Sequence, residues 1–263
     1  MMNWTVRKTG NDGVSESIGF ILIFAMVIVG IGLVNLYGYP LLLKQQTNAD
    51  EQIMEKNMIV IQNDMKSLAY KSVPYKETSM KIAGGALTVN NDNPTHKPEL
   101  RIEDQNGNIW MPINRTGSLT YRSLSTQEEI SLQNGAVMKR ALQSSGSSIL
   151  AEPRWFYDRQ TETLVINVIR INSSVLMARE GISTVQMMLG ETDYIQSPPG
   201  IANPVYVYYT FDPSQDYHIA WQNYLTRTMN MDCSWSSPTL TCWTRDPVSL
   251  LVIKKTDVII RSV

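Results

Sequence analysis

The sequence predicts an α+β chain, mainly β, in which a long N-terminal helix leads into an antiparallel, sandwich-like β domain. Three observations carry this. One uncharged apolar run lies near the N-terminus, and an amphipathic stretch with helical spacing follows it. From Val73 onward the pattern becomes short alternating runs separated by turn residues. The composition, 43% hydrophobic and 18% charged over 263 residues, is that of a chain able to bury a core and argues against wholesale disorder. A formal net charge of -1 without a basic block gives no electrostatic footprint for nucleic acid.

The apolar run extends from Ser17 to Leu43 without an Asp, Glu, Lys or Arg. A helix rises about 1.5 Å per residue and the hydrocarbon core is about 30 Å thick, so roughly 20 apolar residues span it. Ile18 to Tyr37 meets that length, and no polar stripe of a buried soluble helix appears before Asn35. Arg7 and Lys8 precede the span, whereas Lys44 is soon followed by Asp50 and Glu51. The cationic flank places the N-terminus in the cytoplasm and the C-terminal domain outside the cell. A cleaved secretory signal is the competing reading. It needs a shorter apolar region and small residues at a cleavage site, and Asn35, Tyr37, Gly38 and Pro40 stand there instead.

Gly38-Tyr39-Pro40 predicts a kink or break. Helical periodicity then resumes, with Met54, Met58, Ile61, Met65 and Leu68 spaced as an a/d seam. The seam predicts a helix that lays one stripe on its own β domain. A helix–helix partner is the other reading, since methionines pack adaptably. If continuous, the two helical segments reach roughly 80 Å.

In the outer domain Lys81–Val89, Glu99–Glu103, Ile109–Ile113, Leu164–Ile171, Val205–Phe211, Leu250–Ile253 and Asp257–Val263 read as strands. The turn at residues 104–108 makes a hairpin of the second and third. One helical insert is expected around Asp216–Met229. The two cysteines, Cys233 and Cys242, bracket a Ser-Pro turn that would bring them face to face. Outside the cell this predicts a disulfide, the alternative being free thiols in a reducing habitat. Asn114 and Asn172 open N-x-S/T sequons and are candidate glycosylation acceptors on an exported domain.

Nothing announces an enzyme. His96 and His218 are isolated, no metal-ligand or phosphate-loop motif occurs, and Glu128, Glu129, Glu162 and Glu191 are scattered. No cofactor, metal or small-molecule substrate is expected. Trp221, Tyr224, Trp235 and Trp243 form core or, alternatively, a platform for sugars.

The junction RKTGNDGVSESIGFILIF resembles the class III signal peptide of archaeal type IV pilin-like proteins, in which a short charged leader ends in a small residue before a retained helix. The resemblance rests on Arg7, Lys8, Asp12, Gly13, Val14 and Ser15, and on Ile18-Gly19 opening the apolar run. It implies cleavage between Gly13 and Val14 by a prepilin-type peptidase. The chain then divides into a leader (1–13), a transmembrane and stalk helix (14–71) and an extracellular β-rich domain (72–263). Two departures stand out. Glu16 would be third in the mature chain where bacterial-type pilins place a glutamate fifth, and Asn11 and Asp12 stand where cations are more usual. Glu16 either pairs with a neighbouring subunit's amino terminus or stabilises the first turn of its own helix, with Ser15 as N-cap. The implied function is that of a non-catalytic pilin-like subunit whose partners are the membrane, the peptidase and other pilin-like subunits. A monomeric anchored module for binding or adhesion is the alternative.

Overall fold

The computed structural model describes residues 12–91, 98–144 and 146–263, with helix side chains from Ser17 onward. Two compact units result, one ending at Ala49 and one running from Asp50 to Val263.

The first unit is helical. Helix α1 (Asp12–Leu33) passes into a π turn (Val34–Gly38), and α2 (Tyr39–Lys71) continues into the second unit. The expected break at residues 38–40 is instead a widened turn just before it. In a regular α-helix the Pro40 ring would collide with the carbonyl four residues back. The chain opens by one residue, and the Tyr39 N–H donates to the Val34 carbonyl. The helical path is kept.

Among the described residues the second unit holds the rest of α2, fourteen strands and α3 (His218–Arg227). The strands are β1 (Tyr75–Asn90), β2 (Glu99–Asp104), β3 (Ile109–Arg115), β4 (Ser118–Ser123), β5 (Glu128–Gln133), β6 (Ala136–Ala141) and β7 (Ser147–Ala151). After them come β8 (Phe156–Asp158), β9 (Thr163–Ser173), β10 (Met177–Gln196), β11 (Val205–Thr210), β12 (Met231–Ser236), β13 (Thr239–Thr244) and β14 (Leu250–Ser262). They form a nine-stranded sheet, ordered β7-β6-β5-β4-β1-β10-β14-β9-β8, and a five-stranded sheet, ordered β12-β13-β11-β2-β3.

The sheets are antiparallel except where β14 runs parallel to β9 over eleven residue pairs. The two segments expected at Leu250–Ile253 and Asp257–Val263 are one strand here. Both β9 and β14 are covered on two faces, which is where parallel pairing is found and why LVINVIRI of β9 and the LLVI and VII stretches of β14 read as apolar runs. In β9, Leu164, Ile166 and Val168 point into a core shared with α3 and the five-stranded sheet. Ile169 and Ile171 point the opposite way, into a second core beneath α2. The nine-stranded sheet is thus the middle layer of the second unit.

Helix α3 is shorter than its expected range. It ends where Thr228 and Met229 both donate to the Tyr224 carbonyl, and its Trp221 stacks on Tyr209 of β11 at 4.7 Å.

Candidate functional site: the anchor helix and its docking seam

Between Ile18 and Leu43 the large apolar side chains are 45–74% exposed, and among the described residues this is the one helix long and apolar enough to cross a membrane. Apolar surface of that extent needs a cover of lipid or of other chains. Gly13, Val14 and Glu16 lie in the first turns of α1, whose side chains are outside the described part. Arg7, Lys8 and His96 fall outside the described residues.

From Asp50 the same helix meets a sheet. Met54, Met58, Ile61, Met65 and Leu68 are fully buried, packed with the apolar side chains of β1, β4, β5, β10 and β14. At about 2 kcal/mol for each fully buried side chain, the seam is worth about 10 kcal/mol gross. Polar contacts set its register. Gln62, which the a/d pattern passes over, is buried and its Nε2 donates to the carbonyls of Gly135 at 2.6 Å, Glu152 at 3.1 Å and Ala151 at 3.2 Å. Asp64 accepts from the Thr78 hydroxyl at 2.6 Å and lies 3.3 Å from Lys76. At the C-terminal end of α2, Lys254 donates to the Ala69 carbonyl at 2.8 Å, where a cation meets the negative end of the helix dipole.

The N-terminal end of the docked segment is acidic. Lys139 of β6 lies 2.9 Å from Glu55 and 2.5 Å from Glu128 of β5. Glu51, 8% exposed, adds a third carboxyl to this one ammonium. Burial first, then a hydrogen bond and charge from Glu128, lift the Glu51 carboxyl from its ordinary 4.5 to about 7, with Lys139 opposing.

The other sequence candidates are dispersed. Cys233 and Cys242 are cross-strand partners in the β12–β13 hairpin and form a disulfide. Asn172 lies on β9 and accepts from the Ser173 N–H. Asn114 is half-buried on β3, and the Thr116 of its sequon is wholly buried.

The four aromatic residues do not form one platform. Trp221 and Tyr224 are core, Trp235 stacks on His218 at 3.8 Å, and Trp243 lies 6.4 Å from Tyr206. Tyr206 and Tyr208 are half-buried neighbours of it on the outer face of the five-stranded sheet, with the Arg101 guanidinium over Tyr208. The alternation of VYVYYTF could have pointed to this aromatic face. Glu129 is wholly buried between Arg122 and Arg140 and accepts from Tyr217. That set of contacts ties β4, β5 and β6 to the chain before α3, a structural use of the carboxyl. Among the described residues no three His, Cys, Asp or Glu side chains gather as a metal site.

The fold and this helix define a class: a mainly β domain built on a helix whose N-terminal half has membrane-span length and apolarity. The chain belongs to a family of unknown function (DUF7289), whose model matches residues 13–260 and so takes in both the helix and the sheets. No curated protein and no solved structure matches it.

Proposed function

We propose that the chain is a membrane-anchored surface protein acting as a non-catalytic, type IV pilin-like structural subunit, trimmed between Gly13 and Val14. The observation that carries this reading is that span and docking seam share one helix. Helical backbone runs unbroken from Tyr39 to Lys71, and no Gly-, Pro- or Ser-rich linker lies between Leu43 and the first seam residue, Met54. The N-terminus is cytoplasmic and the β domain extracellular. The membrane, a prepilin-type peptidase and further copies or relatives of this chain are its partners. Support for the processing step comes from the resemblance of the leader junction.

The decisive test is the N-terminal sequence of the protein extracted from its native membrane. A mature chain starting at Val14 supports the reading. One that retains Arg7 and Lys8 leaves a simple anchored ectodomain and removes the pilin-like part of the proposal.

The aromatic face of Tyr206, Tyr208 and Trp243 favours a second reading, a binding module whose flat rings meet sugars. Glycan-array binding lost on Trp243→Ala, with the domain still folded, would favour it.

A further inference from the structure

The register of the five-stranded sheet lays out its outer face. Tyr206 pairs with Trp243 of β13 and Glu103 of β2, Tyr208 with Arg101, and Thr210 with Thr239 and Glu99. The residues between them on β11 and β2, such as Val207, Tyr209, Leu100 and Ile102, are buried in the core, so alternation sends the paired side chains outward. Three rings, Trp243, Tyr206 and Tyr208, follow one another on this face with centroids 6.4 and 6.2 Å apart.

The charges beside the rings are spent on one another. Arg101 is paired with Glu103, Arg115 lies 3.2 Å from Glu99, and Arg245 lies 2.5 Å from Asp232, the cross-strand partner of Trp243. These cations and carboxylates balance one for one, and neither sign is in excess for an ionic ligand. A single strand of nucleic acid also stacks on aromatic rings, but it needs a cationic groove to track its backbone.

At the Tyr208 end of the row a cavity of about 200 Å³ opens among Tyr208, Ile113, Thr210, Thr239, Glu99 and Arg101. That is below the roughly 300–1,000 Å³ of sites that enclose a drug-sized ligand, and it suits a single small ring. Its lining is of two kinds. Ile113, 60% exposed, and the Tyr208 ring are apolar. The ring is held in place, since its hydroxyl donates to Glu103 at 2.5 Å and the Arg101 guanidinium lies over it. The polar part is a hydroxyl pair: Thr210 and Thr239 share one hydrogen bond at 3.0 Å, so one of their two protons remains to be donated elsewhere. A pyranose has the same two kinds of surface, an apolar face of C–H groups and a rim of hydroxyls.

Resting on the sugar-binding reading of the aromatic face, we infer that this face takes an uncharged oligosaccharide, with one sugar ring seated in the Thr210–Thr239 cavity and the next units laid over Tyr206 and Trp243. One sugar ring covers one aromatic side chain, so a row of three calls for a linked chain rather than a free monosaccharide. The site adds recognition to the anchored protein and does not depend on how its helix is held.

The test is isothermal titration calorimetry of the full chain in a zwitterionic detergent that carries no sugar headgroup. The probes are neutral tetrasaccharides of glucose, mannose and galactose, and a tetramer of galacturonate. At least one neutral tetramer should bind, and Thr239→Val and Trp243→Ala should each raise its Kd about tenfold, as the loss of one hydrogen bond or one stacked ring would. The galacturonate tetramer should bind about tenfold more weakly than the best neutral one. Binding that falls with Trp243→Ala and is untouched by Thr239→Val overturns the cavity and keeps the rings. Galacturonate binding tighter than that of every neutral tetramer overturns the inference and leaves the sugar-binding reading standing. Silence from all the probes, with near-UV circular dichroism showing a folded domain, overturns both.

Discussion

Glu51→Gln should flatten the pH dependence of stability across neutrality. The wild-type carboxyl titrates near 7 when folded and near 4.5 otherwise, so the folded chain holds the extra proton between those values. Its stabilisation is fully present below 4.5, is lost as pH rises through 7, and is gone above that. The whole shift corresponds to an upper limit of about 3 kcal/mol. The proton is shared with Glu128, so the shift belongs to the pair, and solvent screening at the edge of the docked segment reduces it further, which brings the expected loss to about 2 kcal/mol. The second unit spans Asp50–Val263; for a domain of this size each kcal/mol moves Tm by about 2–4 °C. The assay is thermal unfolding of full-length protein in mild detergent, followed by near-UV circular dichroism at about pH 5 and about pH 8, either side of the window. The wild-type Tm difference should exceed that of Glu51→Gln by about 4–8 °C, since glutamine keeps the shape and cannot ionise. Equal differences in the two proteins would refute the reasoning, because the buried carboxyl would then have no shifted titration to remove.

Gln62→Leu should cost about 2 kcal/mol, because it strips the Gly135, Ala151 and Glu152 carbonyls of their shared donor; chemical denaturation against wild type measures it, and a neutral result would mean water replaces the amide. Met58→Ala, in the middle of the fully buried seam, should cost about 2–5 kcal/mol through the cavity it leaves, and hydrogen exchange should report weaker protection along residues 54–68. Replacing Cys233 and Cys242 by serine opens a loop of nine-residue separation and should lower stability by about 2–3 kcal/mol, read as an equal loss in wild type under reductant.

The elements that repeat a single rule were legible in the sequence. Met54 to Leu68 follow helical spacing and are the buried seam. Val205–Phe211 is β11 plus one residue, and the hairpin around residues 104–108 has its turn where Asp104 accepts from the Asn106 and Asn108 N–H groups. The longest strand, β10, was not legible, because MAREGISTVQMMLGETDYIQ passes from exposed to buried and back and contains two glycines where its pairing shifts register. Parallel pairing of β9 with β14 joins residues about ninety apart, and periodicity carries no partner information. Gln62 was missed for a different reason: a polar side chain on a buried face reads as an interruption until three carbonyls are found converging on it. Nor does spacing along the chain reveal that Glu51 and Glu128 share a pocket.

The placement of the seam bears on the choice between subunit and binding module. A module that samples ligands from a membrane is served by a flexible linker, whose Gly/Ser-rich composition lets the domain move independently. Here the residues after the apolar run, KQQTNADEQI, lie within α2, and Met54 follows them directly as the first residue of the buried stripe. Separating the helix from its domain would forfeit about 10 kcal/mol of gross apolar burial, together with the contacts of Gln62, Asp64 and Lys254. The helix that continues from the apolar run is therefore also an element of the core, and displacement of its docked segment is resisted by the packing of the domain itself. That coupling suits a part that must hold position among neighbours, and it is the physical reason for preferring the structural role over the tethered binding module.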